Sequence, residues 1–498
     1  MNGQSSGRRD TFHTPGTFVQ QLIDFFSLFL HLERPLFARR LEGIAYWPYL
    51  RFHYFDSLLN ARGWIEKSAP SQLLKPHEKV QRFFAVAKNS LVRGVQLDRI
   101  PADLLVLNSG KKVPYHGRRA DPYTDPVLLQ LQYPFTVWEP PIQWHHETGN
   151  VLFRGRTFFL DSLHLLMLLA KAAGIGISNR RISEEIRFLE EHFAPMEVRA
   201  PRAWIRFLLT NIISSWKYVR PAVSRLLSLK RPRVILLVNH YDPLKMLITR
   251  QAHEMGVYVV ELQHGNMGSY HQGYNLGTDE RLPELPDEIL TFGAFWNRTT
   301  SIRKNGVKLT ATGMPFFEEN VRRYLQTPPS KGAKKQILFL SQESLGPKMA
   351  QIALDLKRML PGEEYEIYYK LHPREYQIWE KVYPAEFLRG GLRVLAGTDL
   401  YQLLSQADVI IGVYSTTVIE SLAFGKPLIL LEFYGVHYFL DLVRSGRAHL
   451  AHSAEEIRAI LTGLDRREST GISIRDFWEE NSLERIRTRI CEIMEKNL

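Results

Sequence analysis

The sequence predicts an α/β protein: two doubly wound parallel-sheet domains facing each other across a cleft, with an extra helical region ahead of them. Three observations carry this. Short uninterrupted apolar runs, among them Arg233-Val-Ile-Leu-Leu-Val-Asn-His240 and Ala407-Asp-Val-Ile-Ile-Gly-Val413, have the composition of strands buried on both faces. Helical patterns separate those runs, the alternation expected of a parallel sheet wrapped by helices. With 498 residues, the chain also exceeds what one ordinary hydrophobic core accommodates.

The elements follow in order. Residues 1–100 read as a helical, aromatic-rich region. Met1–Pro15 is polar and lacks the apolar core and cleavage site of a secretory signal. Phe18–Leu32 is interrupted by Gln and Asp, so it reads as an amphipathic helix and not a membrane span. Gly43–Phe55 is the densest aromatic stretch and is expected to be a packed cap. Its basic flanks Arg34, Arg39, Arg40 and Arg51 make a membrane-facing surface the alternative. Residues 101–328 form the first sheet domain. Strands are expected at 103–110, 135–139, 233–240, 257–262, 289–293 and 307–313, and helices at 158–174, 183–192, 203–229 and 243–255. Gln326–Lys335, with two prolines and no periodicity, is the expected linker. Residues 329–470 form the second sheet domain, with strands at 336–341, 366–371, 392–395, 409–413 and 428–431. Residues 471–498 read as a helix crossing back to the first domain.

Composition narrows the function. A single cysteine, Cys491, rules out an intrachain disulfide and suits a reducing, cytoplasmic compartment. The net charge of +12 favours anionic partners: nucleotide phosphates or the inner face of an anionic membrane. The charge is spread along the chain without a dense basic block, zinc spacing or nucleic-acid motif, so nucleic acid is not expected. Asn108-Ser-Gly-Lys-Lys112 lacks P-loop spacing, and no G-x-G-x-x-G follows a strand, which disfavours an NTPase and a dinucleotide oxidoreductase.

Three constellations carry chemistry. Ser415, Thr416 and Thr417 follow the strand at 409–413 and begin a helix. There their hydroxyls, free N–H groups and the helix dipole favour an anion. Glu420 lies one turn further, on the same face as Thr416 and Thr417, placed for ribose hydroxyls or for a salt bridge to Lys426. In Tyr369-Lys-Leu-His-Pro-Arg-Glu375, Pro373 stops the strand and leaves His372 at its carboxyl end, with Lys370 and Arg374 as helpers for a phosphate. In Glu261-Leu-Gln-His-Gly-Asn-Met-Gly268, His264 ends a first-domain strand beside Gly265 and is placed to act as a general base. His240 and Asp242, at the end of the preceding strand, are alternative bases. Gly313 and Pro315 are candidates to seat the donor or simply to form a turn, and Ser341 is a further donor contact.

Gln263-His-Gly265, Thr312-Gly-Met-Pro315, Lys370-Leu-His-Pro373 and Ser415-Thr-Thr417 through Gly425-Lys-Pro427 occur in that order. Over residues 230–435 the chain thereby resembles GT-B glycosyltransferases of bacterial surface and capsular polysaccharide synthesis, two Rossmann-like domains facing a cleft. The resemblance extends to families that use CMP-sialic acid, CMP-Kdo and CDP-glycerol. It implies that His372, Ser415 and Thr416 hold the donor phosphate, and that His264 is catalytic or nearly so. The substrate it implies is a CMP-, CDP- or UDP-linked sugar, with no resident metal or other cofactor, and a glycan or lipid-linked acceptor. Two departures stand out. The acidic-acidic-Gly motif of bacterial sialyltransferases is missing. The Glu-x7-Glu pair of many retaining enzymes would need an acid at Gly412, which favours inversion. A UDP-GlcNAc 2-epimerase-like isomerase, a glycerophosphotransferase and a non-catalytic scaffold are the alternatives.

Overall fold

Among the described residues, fifteen strands are arranged in two parallel sheets and one small hairpin. They are β1 (Leu104–Leu107), the hairpin β2 (Val113–Tyr115) and β3 (Arg118–Ala120), β4 (Phe135–Glu139), β5 (Thr157–Phe159), β6 (Val234–Val238), β7 (Tyr258–Leu262), β8 (Glu288–Thr291) and β9 (Lys308–Ala311). In the second domain β10 (Lys335–Leu340), β11 (Tyr365–Lys370), β12 (Arg393–Leu395), β13 (Val409–Gly412), β14 (Leu428–Leu431) and β15 (His449–Ala451) follow. The structure is a computed structural model describing residues 17–64, 76–142, 144–172, 178–326, 334–342, 345–389, 392–464 and 474–496. The polar segment Met1–Pro15 and the central part of the Gln326–Lys335 linker lie outside the described residues.

The first sheet has the order β5-β4-β1-β6-β7-β8-β9 and the second β12-β11-β10-β13-β14-β15. Every pairing within both is parallel. Each order reverses direction once, between β1 and β6 in the first sheet and between β10 and β13 in the second. At such a switch the two adjoining loops diverge to opposite faces and open a crevice at the carboxyl ends of the strands. The central strands β1, β6, β13 and β14 are buried along their whole length, which is why they read as unbroken apolar runs. The strands that the sequence did not signal are the hairpin β2–β3, β5 and β15. Each has only three residues, too few to establish a pattern.

Helices cover both faces. On one face of the first sheet, Leu104, Val106, Leu236 and Val260 meet Ile486, Ile490, Ile493 and Met494 of the C-terminal helix Ser482–Lys496. That 4-3-1 spacing is the apolar stripe of an amphipathic helix. The expected single helix 203–229 is instead Arg202–Ser214, a π-helical turn Ser215–Val219 and Arg220–Lys230. Pro221 has no N–H for the regular ladder, and the widened turn directly precedes it.

The N-terminal helices α1 (Thr17–Glu33), α2 (Trp47–Ala61) and α3 (Pro76–Arg93) precede the sheets. The aromatic stretch is core: Tyr46, Trp47 and Phe29 are fully buried, and Phe29 and Trp47 both stack on Phe193. Two of the four arginines of its basic flanks are engaged within the protein. Arg39 pairs with Glu185 at 2.5 Å, and Arg51 is buried against Glu33 at 2.7 Å. Arg51 also donates to the carbonyls of Gln272 and Asn275, while Glu33 accepts from Trp47 Nε1 (3.1 Å) and Gly277 N (2.8 Å). The cap thus grips the long connection between β7 and β8. At Gly277 any side chain would collide with the Leu30 carbonyl and Glu33.

Removing one member of a buried pair leaves the other charge uncompensated, at a cost of about 3–5 kcal/mol. Arg51→Ala is therefore expected to lower the unfolding free energy by that amount in chemical denaturation, whereas Arg180→Ala, which breaks an exposed pair with Glu184, should change it far less.

Candidate active site

On the second-domain side, β13 delivers Ser415 to the N-cap of the helix Thr416–Ser421. Ser415 Oγ accepts from Thr417 N (3.3 Å) and donates to Thr417 Oγ1 (3.2 Å), while Thr416 is exposed. A side chain at Gly412 would stand 2.8 Å from Val418 Cγ2, so there is no room for a carboxylate at that position. β11 ends as expected at His372–Pro373. His372 Nδ1 accepts from Arg374 N (3.3 Å) and the His372 N–H donates to Glu375 Oε2 (2.6 Å), a reciprocal cap that fixes the turn. With Nδ1 accepting, the ring proton is assigned to Nε2. β11 and β13 are not neighbours. β10 lies between them, so their ends stand about 10 Å apart, two inter-strand spacings.

On the first-domain side, the loops after β1 and β6 flank the switch point. Lys245 closes the floor of that crevice, its Nζ donating to the carbonyls of Asn108 (2.8 Å) and Val238 (2.5 Å). Asn239 adopts a left-handed conformation (φ 66°), tolerable for asparagine, at the sharp exit from β6. Beyond it Tyr241 reaches His264, with its hydroxyl 3.1 Å from Nε2, and its ring stacks on Phe52 of α2 at 4.7 Å. The other ring nitrogen of His264 lies 3.7 Å from Glu261 Oε1 and makes no hydrogen bond. Burial drives the imidazole pKa down to about 4, outweighing the attraction of Glu261, so the ring is neutral at physiological pH. Glu261 remains ionised. Burial opposes this, but His240 at 2.6 Å and the Tyr274 hydroxyl at 2.9 Å hold its pKa below the usual range.

The two halves meet directly. A Cβ at Gly265 would lie 3.4 Å from the methyl of Thr416. Next to it, Asn266 donates to the Tyr438 carbonyl (2.6 Å), and Ser269 bonds Asp441 through its N–H (2.8 Å) and hydroxyl (3.0 Å). Lys111, on the loop after β1, interacts electrostatically with both Arg374 and Glu420 of the second domain. Burial lifts the Glu420 carboxyl to about 7, offset in part by Tyr401 and Lys111. Among the described residues, two buried oxygens at the crevice strands, Asn239 Oδ1 after β6 and Gln342 Oε1 after β10, have no hydrogen-bond partner.

His264, Ser415, Thr416, Thr417, Glu420, Arg374 and His372 therefore all stand on loops at the opposed strand ends. Several other expected residues are engaged elsewhere. Lys370 turns back onto Leu371 O (3.1 Å) and the Tyr376 hydroxyl (2.6 Å). Ser341 is buried in a network with Glu375 (3.0 Å) and Tyr383 (2.9 Å). Gly313 (φ +83°) gives the crossing tail room, since a side chain there would collide with Glu479 and Ser482, and Pro315 simply begins the helix Pro315–Gln326. Asp242 caps the helix Pro243–Glu254, accepting from Leu244 N and Lys245 N at 3.0 Å each. His240 lies behind Glu261, fully buried. The residues that sequence reasoning passed over are Lys111, Tyr241 and Asp56. The last bonds Gln272 Nε2 (3.1 Å) and interacts electrostatically with Tyr241, Tyr434 and Tyr438. The Lys-Lys pair after the first apolar run was the available signal for Lys111.

Two doubly wound sheets with opposed carboxyl ends, and a terminal helix returning to the first, are the GT-B arrangement. No protein-family model matches the sequence. No curated protein matches it either. Solved structures that resemble it include the UDP-GlcNAc 2-epimerase of Methanocaldococcus jannaschii, at 11% identity over 78% of this chain and 99% of that one, with a TM-score of 0.43. Another is the UDP-GlcNAc 2-epimerase of Neisseria meningitidis bound to UDP-GlcNAc (14%, 79% and 99%, TM-score 0.43). A third is a spinosyn rhamnosyltransferase complexed with thymidine diphosphate (12%, 78% and 96%, TM-score 0.41). Likeness at this level carries no functional argument, so the function has to be read from the residues.

The raised pKa of Glu420 has a measurable consequence. Between about pH 4.5 and 7 the folded chain holds a proton there that the unfolded chain has released, so stability falls as pH rises through that window. Comparing denaturation at pH 5 and pH 7.5, Glu420→Gln should show a smaller loss than the parent.

Proposed function

We propose that the protein is an inverting, metal-independent glycosyltransferase. It would move a sugar from a CMP-, CDP- or UDP-linked donor to a glycan or lipid-linked acceptor in the cytoplasm, and the surface-polysaccharide setting rests on the motif resemblance. The observation that carries the reading is the meeting of a neutral histidine loop with a hydroxyl-lined turn. His264–Gly265 abuts Thr416, while Lys111 and Arg374 bring positive charge to the same gap.

The chemistry follows from the groups present. The acceptor hydroxyl gives its proton to Nε2 of His264, in the place now held by the Tyr241 hydroxyl, and its oxygen attacks the anomeric carbon. The bond from that carbon to the donor phosphate breaks, and the electron pair leaves with the phosphate. Hydroxyls of Ser415, Thr416 and Thr417, the Nε2 proton of His372 and the cations Arg374 and Lys111 stabilise that charge as it grows. Ionised Glu261 stabilises the imidazolium that forms. Glu420, protonated or ionised near neutrality, suits a hydrogen bond with donor hydroxyls. Inversion is favoured because the first acid of a Glu-x7-Glu pair would fall at Gly412, where an added Cβ would stand 2.8 Å from Val418 Cγ2. The unpartnered oxygens of Asn239 and Gln342 are places where a polar ligand supplies the missing donors.

A thermal-shift panel of CMP, CDP, UDP and GDP tests donor binding, since ligands of the native state raise its melting point. At least one should stabilise the parent, with the shift lost in Ser415→Ala and reduced in Arg374→Ala; no shift from any of the four removes the reading. His264→Ala should keep the nucleotide shift yet lower turnover by about 10²–10⁴-fold, the usual contribution of a positioned base.

A further inference from the structure

A second cavity of about 290 Å³ lies behind one wall of the cleft. Its volume is that of roughly ten water-sized groups at about 30 Å³ each. Most of the lining is apolar and aromatic: Met167, Trp204, Phe207, Leu208, Ile212 and Trp216. The remainder is polar and clustered, with His53, Arg82, His164 and Asp242.

Consecutive residues face the two spaces. Tyr241 bonds His264 on the cleft side while Asp242 lines the cavity, and on α2 Phe52 stacks on Tyr241 while His53 lines the cavity. The separating wall is therefore about one side chain thick. The π-helical turn Ser215–Val219 contributes Ser215, Trp216 and Val219 to the opposite wall. Widened turns of this kind recur at functional sites. Two buried nitrogens on the polar side, Arg82 Nε and His164 Nδ1, lack hydrogen-bond partners. Arg82 lies over the Trp144 ring at 3.2 Å, and burial lowers its pKa to about 10. The unpartnered Arg82 Nε–H beside an apolar chamber suits an anion attached to hydrocarbon. Phe207, 42% exposed, gives the chamber an apolar edge toward solvent.

We infer that this cavity holds the hydrocarbon end of the acceptor, an alkyl or prenyl chain carrying a phosphate, with the chain against the tryptophans and the phosphate at Arg82 and His164. The inference rests on the transferase reading and narrows its acceptor to an acidic amphiphile.

Decyl phosphate, titrated below its micelle concentration and followed by tryptophan emission, tests this on the full chain. The parent should show a saturable change that inorganic phosphate does not produce. Ser215→Phe fills the chamber and should weaken decyl phosphate at least tenfold; Leu208→Trp fills the same space should the first variant not fold. Arg82→Gln should weaken decyl phosphate about tenfold and leave 1-decanol unchanged. Binding to phosphatidylglycerol vesicles should be equal in the parent and the filled variant. Unchanged decyl phosphate affinity in the filled variant overturns the inference, as does vesicle binding that is lost with it. Nucleotide stabilisation, read in the same variants, separates the two readings. Retained nucleotide shifts without decyl phosphate binding defeat only the acceptor site, whereas decyl phosphate binding without any nucleotide shift defeats the transferase.

Discussion

A guanidinium–carboxylate pair shielded from water holds the loop that carries His264 in place. Glu33 closes α1 and Arg51 lies within α2, and together they bond the backbone of the β7–β8 connection at Gln272, Asn275 and Gly277. That connection begins with His264 and Gly265 and carries Asn266 and Ser269, which bridge to the second domain. A connection of this length without a regular element would otherwise sample many conformations, each with a different cleft. The helical region ahead of the sheets is therefore a brace for the cleft, and through Phe52 and Asp56 it also lines it.

The far side of the cleft is fixed by aromatic packing. Trp478 stacks between Phe292 of the first domain, at 4.6 Å, and Phe317, at 3.7 Å, and donates to the Ile419 carbonyl inside the helix that follows the hydroxyl turn. One ring thus joins the first domain, the crossing segment and the turn that faces Gly265. The relative placement of the halves follows from contacts at both edges, polar at Asn266, Ser269 and Asp441, apolar at Trp478.

Much of this was legible in the sequence, for physical reasons that differ by element. The long central strands announce themselves because burial on both faces requires continuous apolar residues, and the hydroxyl turn because a helix start selects Ser and Thr. His372 was placed by the chemistry of Pro373. What stayed hidden was strand order: neither β11 nor β13 carries any mark of the β10 strand between them, since parallel pairing leaves the order to tertiary packing. The direction of side chains at strand ends was hidden too. Lys370 sits two residues from His372 and Ser341 one residue from Gln342, yet they turn into Tyr376 and Tyr383. Lys111 went unread because its segment was matched against a phosphate-loop spacing it does not have, although its position at the sheet's reversal is what brings it to the cleft.

The C-terminal helix covers a face of the first sheet with Ile486, Ile490, Ile493 and Met494. In a chain made from its N-terminus, the strands beneath that helix emerge before the whole second domain, and their apolar side waits for the final residues. At about 5–20 residues per second the wait lasts on the order of ten seconds or more. During that interval the nascent first domain presents a bare aliphatic surface, the kind of target that holding chaperones bind. Ribosomal tempo and chaperone supply, more than equilibrium stability, then govern how much of the protein a cell recovers.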